Sequence, residues 1–350
     1  MMTPRERWLA LFARQKPDRI PTDYWATGEV TERLQRDLGC ADFDALIARL
    51  HIDAPRHIGA RRTSWHSAAD TEADIWGVRF RRMVYTTGVY DEAATHPLAG
   101  LSTVGQIHDY PWPSADDHDW DEFRKQIREL RRDRIVRCGS YEPFLLYCQL
   151  RGMEQAMMDL MAAPDIADAI FGHIFDYHYR VNERMFDIGH GVIDLTYVAE
   201  DLGSQSSLLM GLDQIRRYIL PNQKRMADLA RSHGIHVFYH TDGAARDVLP
   251  DLISVTGIEV LNPIQWRCAG MEREGLVRDF GAKLIFHGAV DNQQTLPFGT
   301  PDDVRREVLD NIRIFKGHRW ICAPCHNLQP VTPTKNIVAL YETIWENGKL

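Results

Sequence analysis

The sequence contains no apolar run approaching the roughly 18 residues that a membrane-spanning helix needs. It also lacks the basic stripe by which proteins grip nucleic acid, and its net charge of -8 is spread along the chain rather than gathered in a tail. Membrane and nucleic acid are therefore not expected as partners. The acidic balance argues against a strongly anionic substrate held by charge alone, although Arg56, Arg61 and Arg62 form one local basic group. Cysteine is scarce: Cys40, Cys138, Cys148, Cys268, Cys322 and Cys325 are the six in 350 residues, too few and too scattered for a secreted disulfide framework. A reducing cytoplasm is the expected compartment, where a cysteine beside a histidine reads as a ligand or nucleophile. The opening MMTPRERWLALFARQ has neither a continuous apolar segment nor a small-residue cleavage site, so no secretory leader is expected. No G-x-G-x-x-G follows any strand-like run, which removes support for a dinucleotide fold. Nor is there a low-complexity linker or short repeat, and residues 1–350 read as one domain.

What is present is a globular balance, 44% apolar and 26% charged, with enough apolar material for a large core. A Pro-rich, acidic stretch over 111–121 reads as a surface connection between residues 1–130, an extension with the first sheet units, and residues 131–350, with the remaining ones. From there short apolar runs alternate with helical patterns. Strands are predicted at 135–138, 191–198, 234–239, 258–261, 283–287 and 319–322. Helices are predicted at 123–132, 164–186, 213–232, 245–255, 272–280, 301–315 and 334–346. The earliest strands are placed at 20–25 and near Val84. Buried, non-alternating strands separated by helices imply a parallel sheet. The predicted fold is α/β, a (β/α)8 TIM barrel with an N-terminal helical extension, in preference to an open doubly wound sheet.

Polar residues follow directly on five successive strand runs: Glu200-Asp201-Leu202-Gly203-Ser204-Gln205, His240-Thr241-Asp242-Gly243, Asn262-Pro263-Ile264-Gln265, His287-Gly288, and Cys325-His326-Asn327. In α/β barrels this is the end where active sites are built. His240 and Asp242, two apart on an extended segment, share a face. With Cys325 or His326 from the last strand they offer ligands to one cation; His240, Asp242 and Cys325 are the expected metal set, with the fourth position open as in catalytic zinc. Taken singly, His240 also fits a strand-end histidine bonded to backbone, Asp242 a turn residue, and Cys325 a small buried residue. His326 is the expected proton shuttle. Glu200 and Asp201 are adjacent, so one is expected in the pocket and the other at a helix cap. Tyr24, Trp25, Gln205, Asn262, Gln265 and His287 are expected to line the substrate pocket.

Taken in order with Asp74-Ile75-Trp76-Gly77-Val78, Leu296-Pro297-Phe298-Gly299-Thr300-Pro301 and Leu328-Gln329-Pro330, these stretches resemble the uroporphyrinogen decarboxylase superfamily from near the N-terminus to the last helix. The resemblance implies a (β/α)8 barrel and one of two chemistries. Porphyrinogen decarboxylases carry an arginine-rich segment where this chain reads Ile20-Pro21-Thr22-Asp23-Tyr24-Trp25, and an aspartate near the position of Gly59 or Ala60; both are missing here, while His326 matches the family's late histidine. The other branch is similar to corrinoid- and thiol-dependent methyltransferases that bind zinc through His-x-Cys and a later Cys; His240 and Cys325 match, and Asp242 replaces the middle cysteine. The resemblance therefore implies a zinc-dependent transfer of a methyl or similar group to a small-molecule substrate, with a corrinoid protein as partner. Metal-free decarboxylation, with His326 as acid and Asp201 beside it, is the alternative, and ligand or corrinoid binding without turnover is a third. Homodimer formation is left open.

Overall fold

The structure is a computed structural model that describes residues 1–63, 72–85 and 88–350. Seven parallel strands form one curled sheet: β1 (Arg56–Ile58), then, after the hairpin strands β2 (Phe80–Tyr85) and β3 (Gly88–Ala93), β4 (Val136–Cys138), β5 (Leu195–Ala199), β6 (His236–His240), β7 (Val260–Asn262), β8 (Ile285–Val290) and β9 (Trp320–Pro324), in the spatial order β1-β4-β5-β6-β7-β8-β9. Each parallel step is bridged by helix, because parallel neighbours need a crossover. The long helix Pro164–Ile188 carries the chain from β4 to β5, Leu220–Ser232 from β5 to β6, Arg273–Phe280 from β7 to β8 and Pro301–Ile314 from β8 to β9. Beyond β9, the chain at residues 21–23 lies alongside: the Cys322 amide donates to the Pro21 carbonyl (2.9 Å) and the Asp23 amide to the Cys322 carbonyl (3.0 Å). On its other side the Asp53 amide donates to the Thr22 carbonyl (3.2 Å), just ahead of β1.

Apolar residues sort into two cores. The larger lies between the sheet and its helices. The smaller fills the inside of the curl, where Leu195, Phe238, Val260, Ile285 and Ile321 meet Trp8 and Leu11 of the N-terminal helix Pro4–Phe12. That helix plugs the amino ends of the strands. Its guanidiniums fix it there: Arg5 to Asp194 (2.6 Å) and Arg7 to the fully buried Asp53 (3.0 Å). With the amino end filled by hydrocarbon, the polar residues described next lie toward the carboxyl end.

Most expected elements stand within a few residues of their predicted places. Three differ. The strand near Val84 belongs to the separate β2–β3 hairpin, and the strand that begins the parallel sheet is β1 over Arg56–Ile58, too short and too polar to show periodicity. Residues 20–25 contribute one bridge to β9, Thr22 with Cys322, rather than a regular strand. The helix expected at 245–255 is broken into tight 3₁₀ (Arg246–Val248), α (Leu249–Asp251) and wide π (Leu252–Thr256) turns around Pro250. Among the described residues no helix is long and apolar enough to cross a membrane.

Candidate active site

Alternation along the strands determines which side chains enter the lumen. Above the apolar floor the next inward layer is polar: Asp23, His57 of β1, Arg137 of β4, Tyr197 of β5, His240 of β6, Asn262 of β7 and His287 of β8. Four of these form one hydrogen-bonded relay. His287 Nε2 lies 2.9 Å from Asp23 Oδ2, Asn262 Nδ2 lies 2.6 Å from His287 Nδ1, and Asn262 Oδ1 lies 2.6 Å from His240 Nδ1. With Asn262 oriented as this network requires, His240 carries its proton on Nδ1 and His287 on Nε2. The free lone pair of His240 is therefore on Nε2, which points out of the layer toward the mouth.

There it meets two carboxylates. Nε2 is 3.4 Å from Asp201 Oδ1 and 3.7 Å from Asp242 Oδ1, and Asp242 Oδ2 is 3.5 Å from His326 Nε2. His240, Asp242 and His326 each offer one ligand atom, and these atoms lie within 4.8 Å of one another. Two ligands at about 2.1 Å from a tetrahedral ion stand about 3.4 Å apart, so the group needs only a small contraction to hold one. Asp242 Oδ1 is buried without any hydrogen-bond partner, a cost that an ion removes. Nitrogen, oxygen and nitrogen donors suit a divalent cation such as zinc. The residues present fit the group.

Local backbone chemistry brings the two acid loops together. Gly243 has φ +80°, and a Cβ there would stand 2.3 Å from the Gly203 carbonyl; one on Gly203 would stand 2.6 Å from the Ala244 amide. Only glycine at both places lets the loops after β5 and β6 touch. The Asp242 amide then donates to Asp201 Oδ1 (3.2 Å). Electrostatics follows geometry. Burial pulls the His240 imidazole down, but Asp201 and Asp242 outweigh it and raise it above its usual value. Burial pushes Asp242 up; it also pushes Asp201 up, but His240, the Asp242 amide and His326 together outweigh it and lower that carboxyl.

The adjacent acids divide as alternation requires. Glu200 is 1% exposed and accepts the amides of Phe144 and Leu145 (3.2 Å for the latter) at the start of helix Pro143–Arg151. Burial holds its carboxyl well above the carboxylate range. Asp201, 54% exposed, faces the mouth. Trp25 stacks on His240 (ring centroids 5.7 Å apart, planes 11° apart) and donates its indole N–H to Asp23 (2.9 Å).

Other expected site residues are elsewhere. The Cys325 thiol is turned out of the group and donates to the Ile264 carbonyl (3.1 Å); burial and the charges of Glu307 and Asp291 keep it protonated, and the imidazole of the next residue stands with His240 and Asp242 instead. Tyr24 bonds Thr31 (3.0 Å) and packs on Phe43 and Tyr341. Gln265 accepts the Gly243 amide (2.6 Å), and Gln205 accepts from the Cys268 thiol (3.5 Å), so both brace loops. Arg56 is tied to Asp133 and Asp44, and Arg62 to the Tyr177 hydroxyl, which breaks up the basic group. Asp23, His57, Arg137 and Tyr197 are not among the residues expected from the sequence, most of which follow strand ends. The available signal was a charged or phenolic residue inside an apolar strand run: Arg137 between Val136 and Cys138, Tyr197 between Thr196 and Val198.

The profile of the uroporphyrinogen decarboxylase (URO-D) family matches residues 3–346. The chain belongs to that family. That family's fold is a TIM barrel, and the chain shows a curled parallel sheet of seven strands. Among solved structures, a methyltransferase from Methanosarcina mazei superposes with a TM-score of 0.69 over 99% of both chains at 16% identity. At that identity the likeness extends to the fold alone. A 3-keto-D-glucoside 4-epimerase from E. coli, 12% identical over 65% of this chain and 86% of that one, reaches a TM-score of 0.37, too low to carry an argument. No curated protein sequence matches the chain.

Proposed function

We propose that this member of the uroporphyrinogen decarboxylase family is a metal-dependent enzyme that transfers a methyl or similarly small group, with zinc held by His240, Asp242 and His326 and with residues 20–25 completing the barrel as its eighth member. The observation that carries this reading is the convergence of three ligand atoms on one point at the strand ends, beside a buried carboxylate oxygen that has no other partner. The relay through Asn262 and His287 to Asp23 supports it, because metal-bound histidines characteristically donate their other N–H to an anchored acceptor. A divalent cation bound there supplies activation of a thiol, hydroxyl or water nucleophile at neutral pH. Asp201, ionised and open to the mouth, accepts the nucleophile's proton. Trp25 and Tyr197 wall the site and exclude water from one side. A corrinoid-bearing partner, docking over the same open face, and a cytoplasmic setting belong to this reading.

Elemental analysis of protein purified without chelator tests it. Near one equivalent of zinc or a similar metal is expected in the wild type, and a loss of most of it in His240→Ala with the circular-dichroism spectrum unchanged. Metal absent from the wild type, or unchanged in the variant, rejects the site. One observation favours a second reading, metal-free decarboxylation: without an ion, the raised proton affinity of His240 makes it a general acid. Formation of coproporphyrinogen from uroporphyrinogen by metal-free protein decides for it.

A further inference from the structure

Arg137 projects from β4 into the lumen, in the same polar layer as His240. Its guanidinium carbon lies over three rings, 5.4 Å from the Trp25 centroid, 5.1 Å from Tyr197 and 5.7 Å from Phe238. Its Nε donates to His57 Nδ1 (3.0 Å). The charge of Asp23 acts on it from a distance, but no further hydrogen bond holds it. Among the described residues no carboxylate comes within ion-pair distance of it, Nη1 is sealed from solvent with no acceptor, and Nη2 has no hydrogen-bond partner either. The nearby Asp23 is already committed, with Oδ2 taken by His287 and Trp25 and Oδ1 by the Tyr24 amide. A guanidinium stays charged at any physiological pH, and stacking on aromatic faces offsets only part of what its desolvation costs. His57 reinforces the imbalance: burial and Arg137 push its ionisation down to about 4, so at neutral pH it is an uncharged ring whose Nδ1 accepts from Arg137 and whose Nε2–H is a further donor.

We propose that Arg137, with His57, is the anchor for the acid group of a small monocarboxylate substrate, whose body lies against Trp25 and Tyr197 and whose reacting end reaches His240. A planar guanidinium with two unengaged nitrogens matches a carboxylate in paired, charge-assisted hydrogen bonds. The same two rings connect the subsites, since Trp25 and Tyr197 stand 5.7 and 5.6 Å from the His240 ring as well as over Arg137. The family's porphyrinogen substrate carries many acid groups; one arginine inside an aromatic lumen suits a compound with one. This proposal names the substrate class of the site described above, and the binding it asserts is measured independently of the metal.

Calorimetric titration of the full chain with benzoate and acetate, against the neutral isosteres benzamide and acetamide, tests it. At least one acid is expected to bind saturably below about 10 mM, its amide at least about tenfold more weakly. Arg137→Gln is expected to abolish that preference, and Arg137→Lys to restore part of it, with metal content unchanged in both. The wild-type comparison stands even where a variant fails to fold. Equal binding of acid and amide, no saturable binding of either acid, or an undiminished preference in a folded Arg137→Gln overturns the anchor. Treatment with a chelator separates this proposal from the metal reading. A preference that persists supports Arg137, and one that vanishes with the ion places the acid group on the metal and overturns the anchor alone.

Discussion

At the scale of single residues, the site depends on which nitrogen of His240 is free. The Asn262 carbonyl oxygen claims Nδ1, and Asn262 in turn is held by His287 and Asp23. Asn262→Ala removes the acceptor and lets the ring turn and change tautomer. Metal affinity measured by competitive chelator titration is expected to fall about 10- to 100-fold, with little change in melting temperature, because the substituted side chain touches only the relay. A second prediction separates the two late candidates. Cys325 is buried, protonated and bonded to the Ile264 carbonyl, whereas His326 faces Asp242. Cys325→Ser is expected to leave metal content unchanged and His326→Ala to lower it; the reverse order, read by elemental analysis, restores sulfur to the ligand set. The sequence made Cys325 the expected ligand because spacing along the chain cannot distinguish neighbouring side chains at a strand end, where a small twist exchanges the inward and outward positions.

At the scale of elements, one buried charge cluster ties the plug helix to the sheet. Asp53, without solvent contact, accepts from Arg7 (3.0 Å), from both terminal nitrogens of Arg19 (2.6 and 2.9 Å) and from the Thr22 amide (3.1 Å). It thereby joins helix Pro4–Phe12, the run at residues 20–25 and the approach to β1. Asp53→Ala leaves the buried Arg19 without a carboxylate partner and Arg7 with Asp18 alone (2.7 Å), and a loss of about 3–5 kcal/mol is expected in urea unfolding. A loss below about 1 kcal/mol contradicts the role assigned to this cluster. None of this was legible beforehand. Arg7, Arg19 and Asp53 look like ordinary surface charges in the sequence, and their meeting depends on a helix folding back beneath strands that come later in the chain.

At the scale of the whole molecule, histidines held neutral by their surroundings contribute to the response to acid. His178, packed against Trp76, Tyr141 and Tyr177, has its ionisation pushed from 6.5 down to about 3 by burial, then by the charge of Arg62. The unfolded chain takes up that proton from about pH 6.5 downward while the folded protein refuses it until about 3. The stability this ring contributes is therefore complete above pH 6.5 and is lost as pH falls toward 3; His57 acts in the same direction down to about 4. The urea midpoint is expected to decline between pH 7 and pH 4.5, and less steeply in His178→Phe. An identical slope in the variant excludes His178 as a source.

The sequence by itself determined the α/β alternation, the family, and the end of the sheet at which the polar residues gather. These properties are local: a strand or helix period and the residues that follow it survive without knowledge of distant contacts. It also determined that one of Glu200 and Asp201 turns inward, since adjacent residues on extended chain face opposite ways. Only the tertiary structure decided that the inward one is Asp201, that His326 rather than Cys325 joins His240 and Asp242, and that Arg137 stands inside the lumen without a direct carboxylate partner. Those are matters of convergence among strands far apart in sequence, where sub-ångström twist and the packing of Trp8 beneath and Trp25 above select which atoms meet.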